Sequence, residues 1–136
     1  MRMMEDYRIG SEFLVEESQS GYASSFEDLR IWQHARQQVK SVYDAFQRCQ
    51  DFSFKNQICR AALSVMNNIA EGFERETAKD FSHFLITAKS SNGEVRSMTY
   101  AAEDMEYLHS EEAESLRDFA RQLSKSIAAF RRHLKK

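Results

Sequence analysis

Four histidines, two cysteines and one Asp-x-x-His spacing are the groups in this 136-residue chain with the most obvious chemical potential. Catalysis needs such groups in combination, either a nucleophile beside a base or several ligands around one metal. His34, His83, His109 and His133 stand singly, none with a serine, cysteine or acid partner in a recognisable nucleophile motif. Asp80-x-x-His83 echoes the Glu-x-x-His half of a di-iron bundle site, but such a site takes two Glu-x-x-His pairs with further inward glutamates, and here the acid is an aspartate. Cys49 and Cys59 lack a CxxC spacing or a nearby histidine pair, so they read as reduced structural cysteines. No Walker or Rossmann glycine loop is present. The expectation is a protein that is not an enzyme, with no cofactor, no metal and no identifiable small-molecule substrate.

Two polar constellations remain. The first is Arg60, Asn67, Asn68, Glu71, Glu74 and Arg75, with Glu94 further along the chain. Asn68 falls on or beside an apolar stripe, and a buried asparagine needs partners and can fix the register of a helical assembly. Glu71 and Arg75 are four apart and can pair for about 0.2–0.5 kcal/mol. Arg60, Asn68, Glu71, Arg75 and Glu94 therefore read as a structural polar network in preference to a ligand site. The second is the basic stretch Arg117, Arg121, Lys125, Arg131, Arg132, Lys135 and Lys136, opposed by Asp118 alone. Residues 94–116 carry seven acids against Arg96. Arg117, Arg121, Lys125, Arg131 and Arg132 could form a nucleic-acid contact surface. The simpler reading sets this helix antiparallel beside the acidic end of the preceding one.

The elements that must carry these residues are helical. The chain has no proline and only four glycines, which favours long helices with short connections. Residues 1–25 form an expected flexible N-terminal tail, with Gly10, Gly21, a serine cluster and a net charge of −3. Within it, Phe13, Leu14 and Val15 make a short apolar segment that could dock. Residues 26–136 form the domain. Ser25 is expected to cap a first helix carrying Leu29, Trp32, Ala35, Val39, Val42 and Phe46. A second helix starts after Ser53 with Ile58, Ala61, Val65 and Ile69 inward, and Gly72 stands where a C-terminal cap belongs. Thr77 caps a third, whose stripe runs Phe81, Phe84, Ala88, Ser91, Val95, Met98, Ala102 and Met105. Ser110 caps a fourth, with Leu116, Ala120, Leu123, Ile127, Phe130 and Leu134 inward. The result is an all-α, antiparallel up-down-up-down four-helix bundle. No run approaches the roughly 20 apolar residues of a membrane span, and the N-terminus has no apolar signal region, so no membrane partner is expected and the location is cytoplasmic.

A lone bundle does not account for every apolar residue. Ile86, Gly93, Tyr100 and Tyr107 recur every seven residues away from the core stripe of the third helix. Glycine at position 93 lets another backbone come close. A helix apolar on a second face is usually covered, which makes these four residues an expected oligomer interface rather than scattered surface aromatics.

The segments FEDLRIWQHA (26–35), QICRAALSVMNNIAEGFER (57–75) and FSHFLITAKSSNGEVRSM (81–98) resemble the four-helix-bundle proteins of the 23S rRNA intervening-sequence family. The most specific element is the run from Asn68 to Gly72, with Arg60 before it and Arg75 after it. Two departures stand out: Met66 where the family commonly has proline, and Ser90, Ser91, Asn92 and Gly93 in place of a glycine-serine pair before Glu94. The resemblance implies a ring-like homopentamer without established biochemical activity. It also implies kinship with accessory subunits of retroelement reverse transcriptases, which are basic enough to bind nucleic acid. Here the bundle has 17 Lys and Arg against 16 Asp and Glu, so its cations are nearly balanced. A self-assembling scaffold or adaptor is the leading expectation. A partner of ribosomal RNA, or of a nucleic-acid enzyme, is the rival.

Overall fold

A computed structural model describes residues 23–134. Helix α1 spans Arg30–Ala45, α2 Phe52–Phe73, α3 Ala78–Asp104 and α4 Ser110–Leu134, with a 3-10 turn at Phe26–Asp28 ahead of α1. The four helices pack antiparallel in an up-down-up-down bundle, and no strand occurs among the described residues. The pairs α2–α3 and α3–α4 make the most extensive contacts, and α1 closes the ring against α2 and α4. Most of the expected tail lies outside the described residues, but Ala23, Ser25 and Phe26 are partly buried. Ala23 and Phe26 pack on the core.

The helix boundaries follow local chemistry, with three corrections to the sequence reading. Ser25 makes no side-chain cap bond. The chain instead turns once at Phe26–Asp28, breaks at extended Leu29, and enters α1 at Arg30. Phe26 lies against Trp32 with ring centroids 5.1 Å apart, and Gln33 Nε2 donates to the Glu27 carbonyl at 2.8 Å. Asp51, not Ser53, opens α2, its Oδ1 accepting from the Phe54 N–H at 3.2 Å. Before α4 the His109 N–H donates to Glu112 Oε1 at 3.0 Å, the reciprocal half of a capping box, and Ser110 is already helical. Thr77 does cap α3, accepting from the Asp80 N–H at 3.1 Å.

Gly72 is a further correction. It lies inside α2 with no left-handed backbone, and it is buried. A Cβ there would fall 2.7 Å from Phe84 Cβ and 2.8 Å from Phe81 Cδ1. The glycine is what lets α2 and α3 meet. Met66, in the position where proline is common, leaves α2 continuous.

The other end of α3 closes without glycine. Tyr107 N–H donates to the Ala102 carbonyl at 2.8 Å and Glu106 N–H to the Glu103 carbonyl at 3.0 Å, a Schellman motif. Its left-handed position is filled by Glu106, with φ 62°.

The core divides into two apolar clusters. One gathers Leu29, Ile31, Val65, Ile69, Phe81, Leu85, Leu123, Ile127 and Phe130. The other gathers Val42, Phe46, Ile58, Val95 and Leu108 with small residues Ala61, Ala62, Ala102 and Ala113. Between them sit Gln38 and Asn92, both fully buried. The inward residues named from the stripes are mainly buried, although Met105 is exposed and Trp32, Val39, Phe84, Ser91, Met98, Leu116 and Leu134 are half-buried. Ile31, Gln38, Leu85, Asn92 and Thr99 are buried as well.

Candidate functional site

The strongest polar site is centred on Arg117, in the second turn of α4. The residue is 5% exposed. Its Nε donates to Thr99 Oγ1 at 3.0 Å, one terminal nitrogen to Glu114 Oε1 at 2.7 Å and the other to Glu103 Oε1 at 2.8 Å. The guanidinium carbon sits 3.8 Å from the centroid of the Tyr100 ring. Planarity and a rigid fork of donors suit arginine to this four-way contact. Hydrogen bonding to Glu103 pushes the Arg117 pKa further up, and bonding to Arg117 and Arg121 holds Glu114 below its usual range. Arg121 joins the cluster, bonding to Asp118 at 2.7 Å, Glu114 at 3.4 Å and the Tyr100 hydroxyl at 3.5 Å.

This arrangement redistributes the expected basic surface. Arg117 is buried beneath Tyr100 and ties α4 to the acidic end of α3, as the simpler electrostatic reading anticipated. Arg121 is engaged by acids beside it. Arg131 donates from Nε to Ser82 Oγ at 2.7 Å. Lys125 and Arg132 are exposed.

The network expected around Arg60 is brought together only in part. Arg60, Gln57, Ser64, Ser91 and Glu94 line one open groove of about 570 Å³ between α2 and α3. Gln57 Nε2 donates to Glu94 Oε2 at 3.1 Å, and the Ser64 and Ser91 hydroxyls meet at 2.8 Å. Asn68 is half-buried and turns back on its own helix, donating to the Ser64 carbonyl at 2.8 Å and hydroxyl at 3.0 Å. Glu71 and Arg75 are exposed and stand apart from this groove. Arg75 lies 5.1 Å over the Phe84 ring and forms no ion pair with Glu71.

The polar layer that crosses the core was not singled out in the sequence. Gln38 Nε2 donates to Asn92 Oδ1 at 2.9 Å, and Asn92 Nδ2 donates to the Ala120 carbonyl at 2.7 Å and Ser124 Oγ at 3.0 Å. The seven-residue interval Leu85, Asn92, Thr99 on α3 is the signal that could have located it.

On the outside of α3, Ile86 is 41% exposed and Tyr100 49% exposed. Between them Gly93 has nothing within 4 Å of the place a Cβ would take. The structure does not bring Tyr107 to this face. Its ring packs 5.3 Å from Phe54 and its hydroxyl donates to Asp51 Oδ2. That bond, with the Phe54 N–H, holds the Asp51 carboxyl below its usual range and pushes Tyr107 up to about 12.

Among the described residues, no group of three or more His, Cys, Asp or Glu side chains is placed to hold a metal. His34 is buried against Phe119, ring centroids 6.1 Å apart, and its pKa falls to about 4, mainly through burial and then through Arg30. His83 and His109 are exposed. Cys49 and Cys59 are free, and burial pushes the Cys59 thiol up. No helix among the described residues is long and apolar enough to cross a membrane.

The fold and its polar ties define a helical bundle protein whose charged groups hold helices together. The sequence model of the 23S rRNA-intervening sequence protein family matches residues 27–129, and the chain belongs to that family. No curated protein matches the chain.

Proposed function

We propose that this protein is a non-enzymatic scaffold or adaptor that acts in the cytoplasm as a homo-oligomer, with the outer face of α3 as the contact between copies. The observation that carries this reading is the contrast between two glycines. Gly72 is required inside the chain, because a Cβ there collides with α3. Gly93 meets no such requirement, yet it sits within a 27-residue helix, where glycine costs about 1 kcal/mol relative to alanine. Ile86 and Tyr100 stand exposed one heptad to either side. A bare backbone between two exposed apolar groups suits close approach of a second helix. Five copies is the number supported by the family resemblance.

Tyr100→Glu tests the reading, the new carboxylate lying beside Arg117 and Arg121 in place of the ring that covers Arg117. Gly93→Leu is the second variant, and it leaves the internal packing untouched. The expected outcome in light scattering is a mass near five times 15.9 kDa for the native chain, and smaller species of unchanged helicity for both variants. A native monomer, or variants that stay fully assembled, overturns the assignment.

The nucleic-acid reading has weaker support. With Arg117 and Arg121 engaged internally, its surface reduces to Lys125, Arg132 and the partly engaged Arg131, whereas phosphate binding depends on several cations acting together.

A further inference from the structure

The open groove between α2 and α3 is tied at each end by a hydrogen bond from helix to helix. Gln57 Nε2 donates to Glu94 Oε2 at one end, and the Ser64 and Ser91 hydroxyls meet at the other. From Gln57 to Ser64 the helix rises by about 10–11 Å, the length of a small metabolite. Arg60 stands between the two ties on α2, and Ala61 is the one apolar residue in the lining.

Neither tie exhausts the groups that make it. The two serine hydroxyls hold two protons and place one between their oxygens, and neither donates to another described group, so one O–H remains to be given. Asn68 steadies the pair by donating to Ser64 Oγ at 3.0 Å. Glu94 gives Oε2 to Gln57, while no described residue bonds to its Oε1. The Arg60 guanidinium has no hydrogen bond or ion pair with any described residue, and it stands too far from Glu94 to pair with it.

Opposite charges are thus held apart across one groove with neutral hydrogen-bonding walls. Its complement carries the same two charges reversed: a carboxylate for the arginine fork and an ammonium for the glutamate. A phosphate dianion matches less well, because it brings surplus negative charge beside Glu94.

We propose that this groove binds a small zwitterion of the amino-acid class, its carboxylate held by Arg60 and the Ser64–Ser91 pair and its ammonium by Glu94. Gln57 positions the Glu94 carboxylate, and Ser53 and Asn56 offer hydrogen bonds to a polar side chain. The groove lies on the α2 side of α3, whereas Tyr100 lies over Arg117 of α4, so this inference goes beyond the assembly reading and stands without it.

Calorimetric titration of the full chain tests it, with L-glutamine and L-serine as probes and acetate, methylammonium and inorganic phosphate as single-charge controls. The expected result is saturable binding of an amino acid, one per chain, and none of acetate or methylammonium over the same range. Arg60→Gln and Glu94→Gln each lower that affinity about tenfold or more, the scale of one lost hydrogen bond to a charged group. Both residues are exposed, so circular dichroism stays unchanged. Absence of saturation by both amino acids overturns the proposal, as does amino-acid binding that either variant leaves unchanged. Acetate or phosphate binding as tightly as the amino acids also overturns it, and reduces the groove to a single-arginine anion site.

Discussion

Gln38 of α1 and Asn92 of α3 are joined by a 2.9 Å hydrogen bond across the diagonal of the bundle, at the boundary between its two apolar clusters. The bond couples two helices that otherwise meet little, and Asn92 extends it to α4. A buried polar pair of this kind fixes which layers face each other, because any sliding of one helix leaves amides unpaired in apolar surroundings. Gln38 Oε1 is buried with no hydrogen-bond partner, so the layer carries a local penalty.

Asn92→Leu strands the Gln38 amide and should lower stability by about 1–3 kcal/mol in urea denaturation. Gln38→Leu/Asn92→Leu removes both partners and the orphaned oxygen. It should recover most of that loss while weakening the register, seen as broadened side-chain NMR signals. A double variant as unstable as Asn92→Leu would show that the layer contributes by shape alone.

Arg117→Met should destabilise the bundle by about 1.5–3 kcal/mol, the scale of hydrogen bonds to charged groups. The figure stays moderate because Glu103 and Glu114 keep 35% and 52% of their side-chain surface in water. Arg117→Lys should restore only part, since an ammonium cannot reproduce the fork and the stacking on Tyr100. Equal midpoints for lysine and arginine would reduce the site to a point charge.

Glu106→Gly should raise stability. A non-glycine residue in the left-handed region costs about 1–2 kcal/mol, offset in part by the roughly 0.5–1 kcal/mol entropic penalty of glycine. Thermal melts should shift upward by about 2–5 °C. No shift would mean that the Glu106 side chain supplies a compensating interaction.

Two pH windows follow from the shifted groups. His34 stays neutral in the fold down to about 4 against an ordinary 6.5. The unfolded chain therefore binds the proton first, and stability present above pH 6.5 is lost as pH falls towards 4. At the other extreme, Tyr107 holds its proton to about 12 against an ordinary 10. Its contribution is present below pH 10 and is lost between 10 and about 12. Denaturation midpoints across pH should show both slopes, with His34→Gln flattening the acid one and Tyr107→Phe the alkaline one.

The fold was legible where apolar residues marked one side of a helix, and illegible where polar residues took inward positions. The α1 stripe found Val42 and Phe46 but passed over Ile31 and Gln38, because a period built on apolar letters cannot see a buried amide. Asn68 was the natural candidate for an internal asparagine, yet it bonds to its own helix while Asn92 takes the central place. Gly72 looked like a helix stop because it stands near one, and only the neighbouring α3 reveals its steric purpose. Tyr107 continued a seven-residue interval past the point where α3 ends, since the glutamate at the turn gave no glycine signal. The charge asymmetry predicted that α3 and α4 attract. It could not predict that one arginine, buried under an aromatic ring, would carry that attraction.

The bond from Tyr107 to Asp51 joins two turns that are 56 residues apart in sequence. Everything between them is the α2–α3 hairpin, so the bond is a clasp across its open end, opposite the tight approach at Gly72. A hairpin fastened at both ends is expected to open as one unit, with α1, which makes the fewest contacts to its neighbours, leaving first. Native-state hydrogen exchange should find the slowest amides in α2 and α3. Tyr107→Phe should then bring their exchange closer to that of the outer two helices.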